Sequence, residues 1–178
     1  MIRPAWLRIV MSESSNEQMP EHFKSYRTDS EQGTYQLGKL LGRQLRAGDV
    51  VLLYGSIGAG KSVMARAIGD VLGVSRWSGS PTFSLVHEYH TVPPFYHVDL
   101  YRLSPGEAAD LGLEEYAHID SIVAIEWADR AQGLVGALAI RRTISVELAY
   151  SGEDRREVRI SGMPNLLSEP AVSVENGR

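Results

Sequence analysis

Eight consecutive residues constrain this chain more than any other stretch: Gly55-Ser56-Ile57-Gly58-Ala59-Gly60-Lys61-Ser62. The apolar run Val50-Val51-Leu52-Leu53-Tyr54 comes directly before them, and a segment of helical pattern over 61–72, closed by Gly73, comes directly after. Glycines let the backbone curl until successive N–H groups point at one centre. A helix starting at Lys61 adds the positive end of its dipole to that centre. Such a cradle attracts anions, and G-x-x-x-x-G-K-S between a strand and a helix is the P-loop, which holds nucleoside triphosphate phosphates. Lys61 then neutralises the β- and γ-phosphates, and the Ser62 hydroxyl ligates magnesium. The phosphate-facing stretch is taken through Val63.

The rest of the chain organises around this motif. Leu37, Leu40, Leu41 and Leu45 share one helical face, with Thr28 and Glu31 at capping-box spacing ahead of them. Residues 50–54 read as a strand buried on both faces. Residues 75–84 read as a loop, 85–90 and 95–100 as two strands, and Ser104-Pro105-Gly106-Glu107 as the start of a helix running to about Tyr116. Residues 121–125 form another apolar strand, and 143–148 with 157–160 alternate with period two as an antiparallel hairpin. Strands alternating with helices predict an α/β fold: a three-layer P-loop NTPase domain over 21–162, with a mainly parallel sheet and a C-terminal hairpin. Residues 1–20 are expected to be a disordered extension and 163–178 a disordered tail.

Two carboxylates are candidates to complete the site. Ile122-Val123-Ala124-Ile125 ends in Glu126, and a carboxylate at a strand's C-terminal end lies where α/β sheets bind ligands. Glu126 is thus a metal-holding candidate beside Ser62; a solvated strand-end carboxylate is the alternative. In Tyr96-His97-Val98-Asp99-Leu100-Tyr101-Arg102, strand alternation puts His97, Asp99 and Tyr101 on one face. Asp99 is therefore a candidate water-orienting base or metal helper, although an edge strand with one wet face has the same pattern. Ser80-Pro81-Thr82 offers hydroxyls that could sense a γ-phosphate, or simply a turn. Trp127 reads as core or as a partner anchor, with core favoured. His87 and His90 point opposite ways on a strand, against a zinc pair. The arginines at 141, 142, 155, 156 and 159 read as a solvated face, with a docking patch as the lesser alternative.

Composition narrows the function classes. A net charge of −4 argues against unaided nucleic-acid binding, whose affinity comes largely from cationic contacts to phosphate. The chain has no cysteine, which removes disulfide and thiolate chemistry and suits a reducing cytosol, so a cytoplasmic location is expected. No apolar run approaches the ~18 residues of a membrane span. Arg3 and Arg8 flank too short and interrupted an apolar stretch for a signal peptide.

In order along the chain, G-x-x-G-A-G-K-S, S-P-T-F-S-L-V, Y-H-V-D-L-Y-R-L and I-E-W resemble the TsaE family of bacterial tRNA threonylcarbamoyladenosine biosynthesis. The resemblance spans residues 29–162. It implies ATP and Mg2+ as ligands, Lys61 and Ser62 at phosphate and metal, Glu126 as the metal-site carboxylate and Asp99 as a catalytic residue. It also implies nucleotide-responsive or partner-facing roles for Thr82 and Trp127, and places the opening segment with Glu31 near the adenine. Ser62 stands where threonine is commoner in the family, which keeps the hydroxyl, and Ser56 stands where an aspartate is frequent. The implied partners are TsaD and TsaB, with tRNA reached indirectly through their complex. The implied role is an ATPase, weak alone, that drives or resets that complex without transferring the threonylcarbamoyl group itself. Two other readings use the same loop: a small-molecule kinase, for which an Arg-rich lid segment is lacking, and a switch in which binding matters and hydrolysis does not.

Overall fold

The computed structural model describes residues 7–10, 23–77 and 84–163. Among the described residues, eight strands form one sheet: β1 Leu7–Val10, β2 Lys24–Thr28, β3 Asp49–Tyr54, β4 Val86–Tyr89, β5 Phe95–Asp99, β6 Ile122–Glu126, β7 Arg142–Tyr150 and β8 Arg156–Ser161. Their order is β1-β2-β8-β7-β3-β6-β5-β4. The middle, β7-β3-β6-β5, is parallel, and both flanks are antiparallel.

Helices α1, Glu31–Gly42, and α2, Lys61–Leu72, pack together on one face of the sheet. They cover Val51, Leu53, Phe95, Ala124, Ile144 and Val146. Gly38 and Gly42, one turn apart on α1, permit their close approach. A Cβ on Gly38 would lie 2.7 Å from Ala67 Cβ, and one on Gly42 3.1 Å from Ile68 Cα. The short helix α3, Pro105–Ala109, and the turns after it cover Val50, Leu52, Val98, Val123 and Ile125 on the other face. Alternate residues of β3 thus feed two cores, the arrangement a doubly buried strand requires. The three-layer α/β fold with its C-terminal hairpin, β7–β8, is as the sequence predicts.

Three local expectations need correction. The cap of α1 is Ser30, whose Oγ accepts from Gly33 N at 3.1 Å, because Thr28 belongs to β2 and pairs its hydroxyl with Thr34 instead. The helix starting at Ser104 has the expected capping box but stops at Ala109. Gly112 takes a left-handed φ of 68° and the chain continues as a 3-10 turn over Leu113–Glu115. Within the stretch 1–20 expected to be disordered, Leu7–Val10 pair with β2, whose outer edge supplies the hydrogen-bond partners an isolated segment lacks.

The arginine cluster divides by task. Arg141 and Arg142 clasp the fully buried Asp49 at 2.8 and 2.7 Å, at the N-terminal end of β3. Arg159 bridges Glu147 and Glu157 across the hairpin. A purely solvated face is therefore not what these residues form.

A candidate nucleotide-binding site

Because β3, β5 and β6 run parallel, their C-terminal ends meet at one edge of the sheet, with Leu53 opposite Glu126 and Asp99 opposite Glu126 in register. A cleft of about 380 Å³ opens there, lined among others by Glu31, Lys61, Ser62, Val63, Asp99 and Glu126. This is the crevice outside the strand ends where α/β sheets hold ligands.

The loop from Gly55 to Lys61 has the shape its glycines allow. Gly58 and Gly60 take φ of 73° and 107°, a region that costs other residues dearly. Gly55 passes against β7 so closely that a Cβ would meet Leu148 O at 2.4 Å. Ile57 stands at the tip, 69% exposed, while Ala59 is buried. Lys61 is only 4% exposed and folds back on its own loop, donating from Nζ to Gly55 O at 2.7 Å and Ser56 O at 2.8 Å. Burial lowers its pKa, against the raising influence of Glu126, Asp99 and Asp129. The ammonium group thus lies at the floor of the loop, bonded to two of the loop's own carbonyls.

Ser62 Oγ donates to Glu126 Oε2 at 2.8 Å. The other oxygen of Glu126, Oε1, meets His97 Nε2, also at 2.8 Å. Glu126 is 3% exposed. Hydroxyl and carboxylate oxygens at the foot of a P-loop are a donor set Mg2+ accepts, since it takes one or two protein oxygens and completes its shell with phosphates and water. The residues present fit that ion. Among the described residues no group of three or more His, Asp and Glu side chains could hold a metal by itself.

Asp99 lies beside Glu126 on β5, and its Oδ1 accepts from Tyr101 N at 2.9 Å. Tyr101 and Trp127 extend the cleft wall, with ring centres 4.8 Å apart. Trp127 is half-buried, and Lys61 Nζ sits 3.8 Å from its ring centre. It is also the single described non-glycine residue with positive φ, 58°. Such backbone strain gathers at functional sites. Trp127 packs against the core on this side of the sheet, as the sequence favours, and the turn after β6 also brings its ring to the P-loop lysine.

The structure gathers Glu31, Ile57, Gly58, Gly60, Lys61, Ser62, Val63, Asp99 and Glu126 around one cleft. Gly55 and Ser56 contribute the carbonyls that hold Lys61, and Ala59 packs inward. Thr82, with Ser80 and Pro81, lies outside the described residues. His97 received no role from sequence, although its alternation with Asp99 was the signal that pointed it into the site.

Comparison with known proteins places the chain in a family. Residues 28–158 match the family model for Threonylcarbamoyl adenosine biosynthesis protein TsaE. The tRNA threonylcarbamoyladenosine biosynthesis protein TsaE of Bacillus subtilis is 33% identical over 141 residues, 79% of this chain and 86% of that protein. That of Nostoc is 41% identical over 151 residues, 82% of this chain and 90% of that protein. The crystal structure of Bacillus subtilis YdiB superposes with a TM-score of 0.64 at 29% identity, covering 81% of this chain and 88% of that one. With its motifs, its fold and the match over most of its length in agreement, the chain belongs to the TsaE family.

Proposed function

We propose that this protein binds ATP with Mg2+ in the cleft at the P-loop and hydrolyses it to support threonylcarbamoyladenosine modification of tRNA. The observation that carries the reading is the joint placement of Lys61, Ser62 and Glu126. A buried ammonium turns onto loop carbonyls while a hydroxyl–carboxylate pair stands beside it. Loop amides take the phosphate oxygens, and Lys61 leaves the Gly55 and Ser56 carbonyls for the β- and γ-phosphates. Ser62 Oγ and Glu126 hold Mg2+, which supplies charge neutralisation at the phosphates when bound. Asp99, fixed by its bond from Tyr101 N, orients the attacking water and accepts its proton. Glu31 borders the cleft at the start of α1, in the segment that the family resemblance puts near the adenine.

Membership of the TsaE family connects this chemistry to its pathway, since the relatives are named for tRNA threonylcarbamoyladenosine biosynthesis. In this reading the ATPase acts on the TsaB–TsaD complex and leaves group transfer to it. The experiment is modification analysis of tRNA from cells depleted of the protein and complemented with wild type, Lys61→Ala or Asp99→Asn. Threonylcarbamoyladenosine should fall on depletion and return with wild type alone. Unchanged modification on depletion would reject the pathway. Full rescue by Asp99→Asn, with its ATP turnover abolished in vitro, would show that hydrolysis is dispensable.

A further inference from the structure

The hairpin β7–β8 reaches the P-loop from outside the cleft. Tyr150, the last residue of β7, and Arg156, the first of β8, are register partners, and the guanidinium lies 4.2 Å from the tyrosine ring centre. Tyr150 donates its hydroxyl to Ile57 O at 3.2 Å. Arg156 donates Nε to Ala59 O, also at 3.2 Å. Its Nη1 is anchored on Arg155 O at 2.9 Å and Glu153 O at 3.4 Å, so the guanidinium is held at two of its nitrogens. Neither residue borders the cleft.

These two carbonyls have particular partners within their own peptide units. The carbonyl of Ile57 shares a peptide plane with the N–H of Gly58, and that of Ala59 with the N–H of Gly60. Fixing a carbonyl outward fixes the attached N–H in the opposite direction, toward the cradle. A donor on the carbonyl also polarises the amide, and a guanidinium does so more than a neutral group. The fit leaves little slack: a Cβ on Gly58 would lie 2.5 Å from Tyr150 Oη.

We propose that Tyr150 and Arg156 are positioning residues that set the phosphate affinity of the P-loop by holding the Ile57 and Ala59 carbonyls outward. The inference rests on the nucleotide-binding reading above and adds to it a function for part of the arginine cluster. It makes the hairpin, far from the cleft in sequence, a determinant of nucleotide affinity.

The test is Mg·ADP and Mg·ATPγS affinity, by calorimetry, of the full chain carrying Tyr150→Phe, Arg156→Met, Arg156→Lys, Arg155→Ala or Lys61→Ala. Loss of the neutral bond should weaken binding about threefold to tenfold, and loss of the charged one about tenfold or more. Arg156→Lys, which keeps the charge, should recover part of that loss, and the exposed Arg155→Ala should bind as wild type. In steady-state turnover KM should rise in Tyr150→Phe and Arg156→Met with kcat little changed, the signature of lost ground-state binding. Wild-type affinity in both of these variants, with Lys61→Ala impaired, would overturn the inference alone. Failure of the wild-type protein to bind either nucleotide would overturn the binding reading and this inference with it. Tyr150→Phe removes one oxygen from a half-exposed side chain, so it keeps the test decisive should Arg156→Met fold poorly.

Discussion

His97 Nε2 holds Glu126 Oε1 at 2.8 Å inside the protein, so the carboxylate next to the P-loop serine is oriented by a strand on its far side. The imidazole stands nearly perpendicular to the Trp77 ring, 6.3 Å between centres. Partners of this kind fix the direction of a metal-holding carboxylate, and losing one typically weakens the metal 10- to 100-fold. His97→Ala should therefore shift the Mg2+ dependence of nucleotide binding to higher concentration by roughly that factor, and His97→Gln, which restores a donor, should shift it less. A magnesium titration followed by nucleotide fluorescence reads the effect. Identical titration curves for His97→Ala and wild type would remove His97 from this role.

The contact between Lys61 Nζ and the Trp127 ring, 3.8 Å to the centre, should report occupancy of the site. A phosphate that draws the ammonium group off the loop carbonyls also changes the charge over the indole. Adding Mg·ATP should change tryptophan emission, and Trp127→Phe should abolish the change while leaving the signals of Trp6 and Trp77. Persistence of the full change in Trp127→Phe would assign it elsewhere.

Tyr26 supplies a pH dependence. Burial pushes its phenol from 10.0 up to about 12, so the folded chain keeps that proton where the unfolded chain has lost it. The stability it contributes is complete below the unfolded value and is lost as pH rises through the folded one. Melting temperature should fall between pH 10 and 12, and Tyr26→Phe should reduce the slope. Tyr35, Tyr54 and Tyr96 are also raised, so some slope remains. An unaltered slope in Tyr26→Phe would contradict the assignment.

Asp49 anchors the opposite end of β3 from the candidate nucleotide cleft, fully buried between Arg141 and Arg142 and accepting also from Arg46 N at 3.0 Å. Removing both arginines strands a buried carboxylate and should cost about 3–5 kcal/mol of stability. Either substitution alone should cost less, because the other guanidinium remains. Urea denaturation of the two single variants and the double variant, arranged as a double-mutant cycle, measures this. A double variant as stable as wild type would refute the clasp.

Much of this protein is legible in one dimension. The eight residues 55–62 with their flanking strand and helix specify the glycine-rich turn of a P-loop, because the required backbone shape and charge arise within one contiguous turn. Period-two and helical spacing locate most elements, and runs ending in Asp99 and Glu126 mark strand ends. Where a choice turned on what the neighbours offer, local pattern misled. Thr28 sits at cap spacing yet belongs to a strand, and the helix after Ser104 ends at Ala109 as Gly112 turns left-handed.

Tertiary structure decided which of these marked residues meet. Ser62 and Glu126 are 64 residues apart, His97 and Glu126 29, and Arg156 and the P-loop carbonyl of Ala59 97. Their meeting depends on the order β7-β3-β6-β5, which parallel pairing through crossover connections creates and no local spacing encodes. The turn that brings Trp127 over Lys61 through a positive φ is equally invisible in the residue types, since tryptophan carries no preference for that conformation. The cradle follows from the chemistry of adjacent residues; the side chains that complete and brace it are assembled by the sheet.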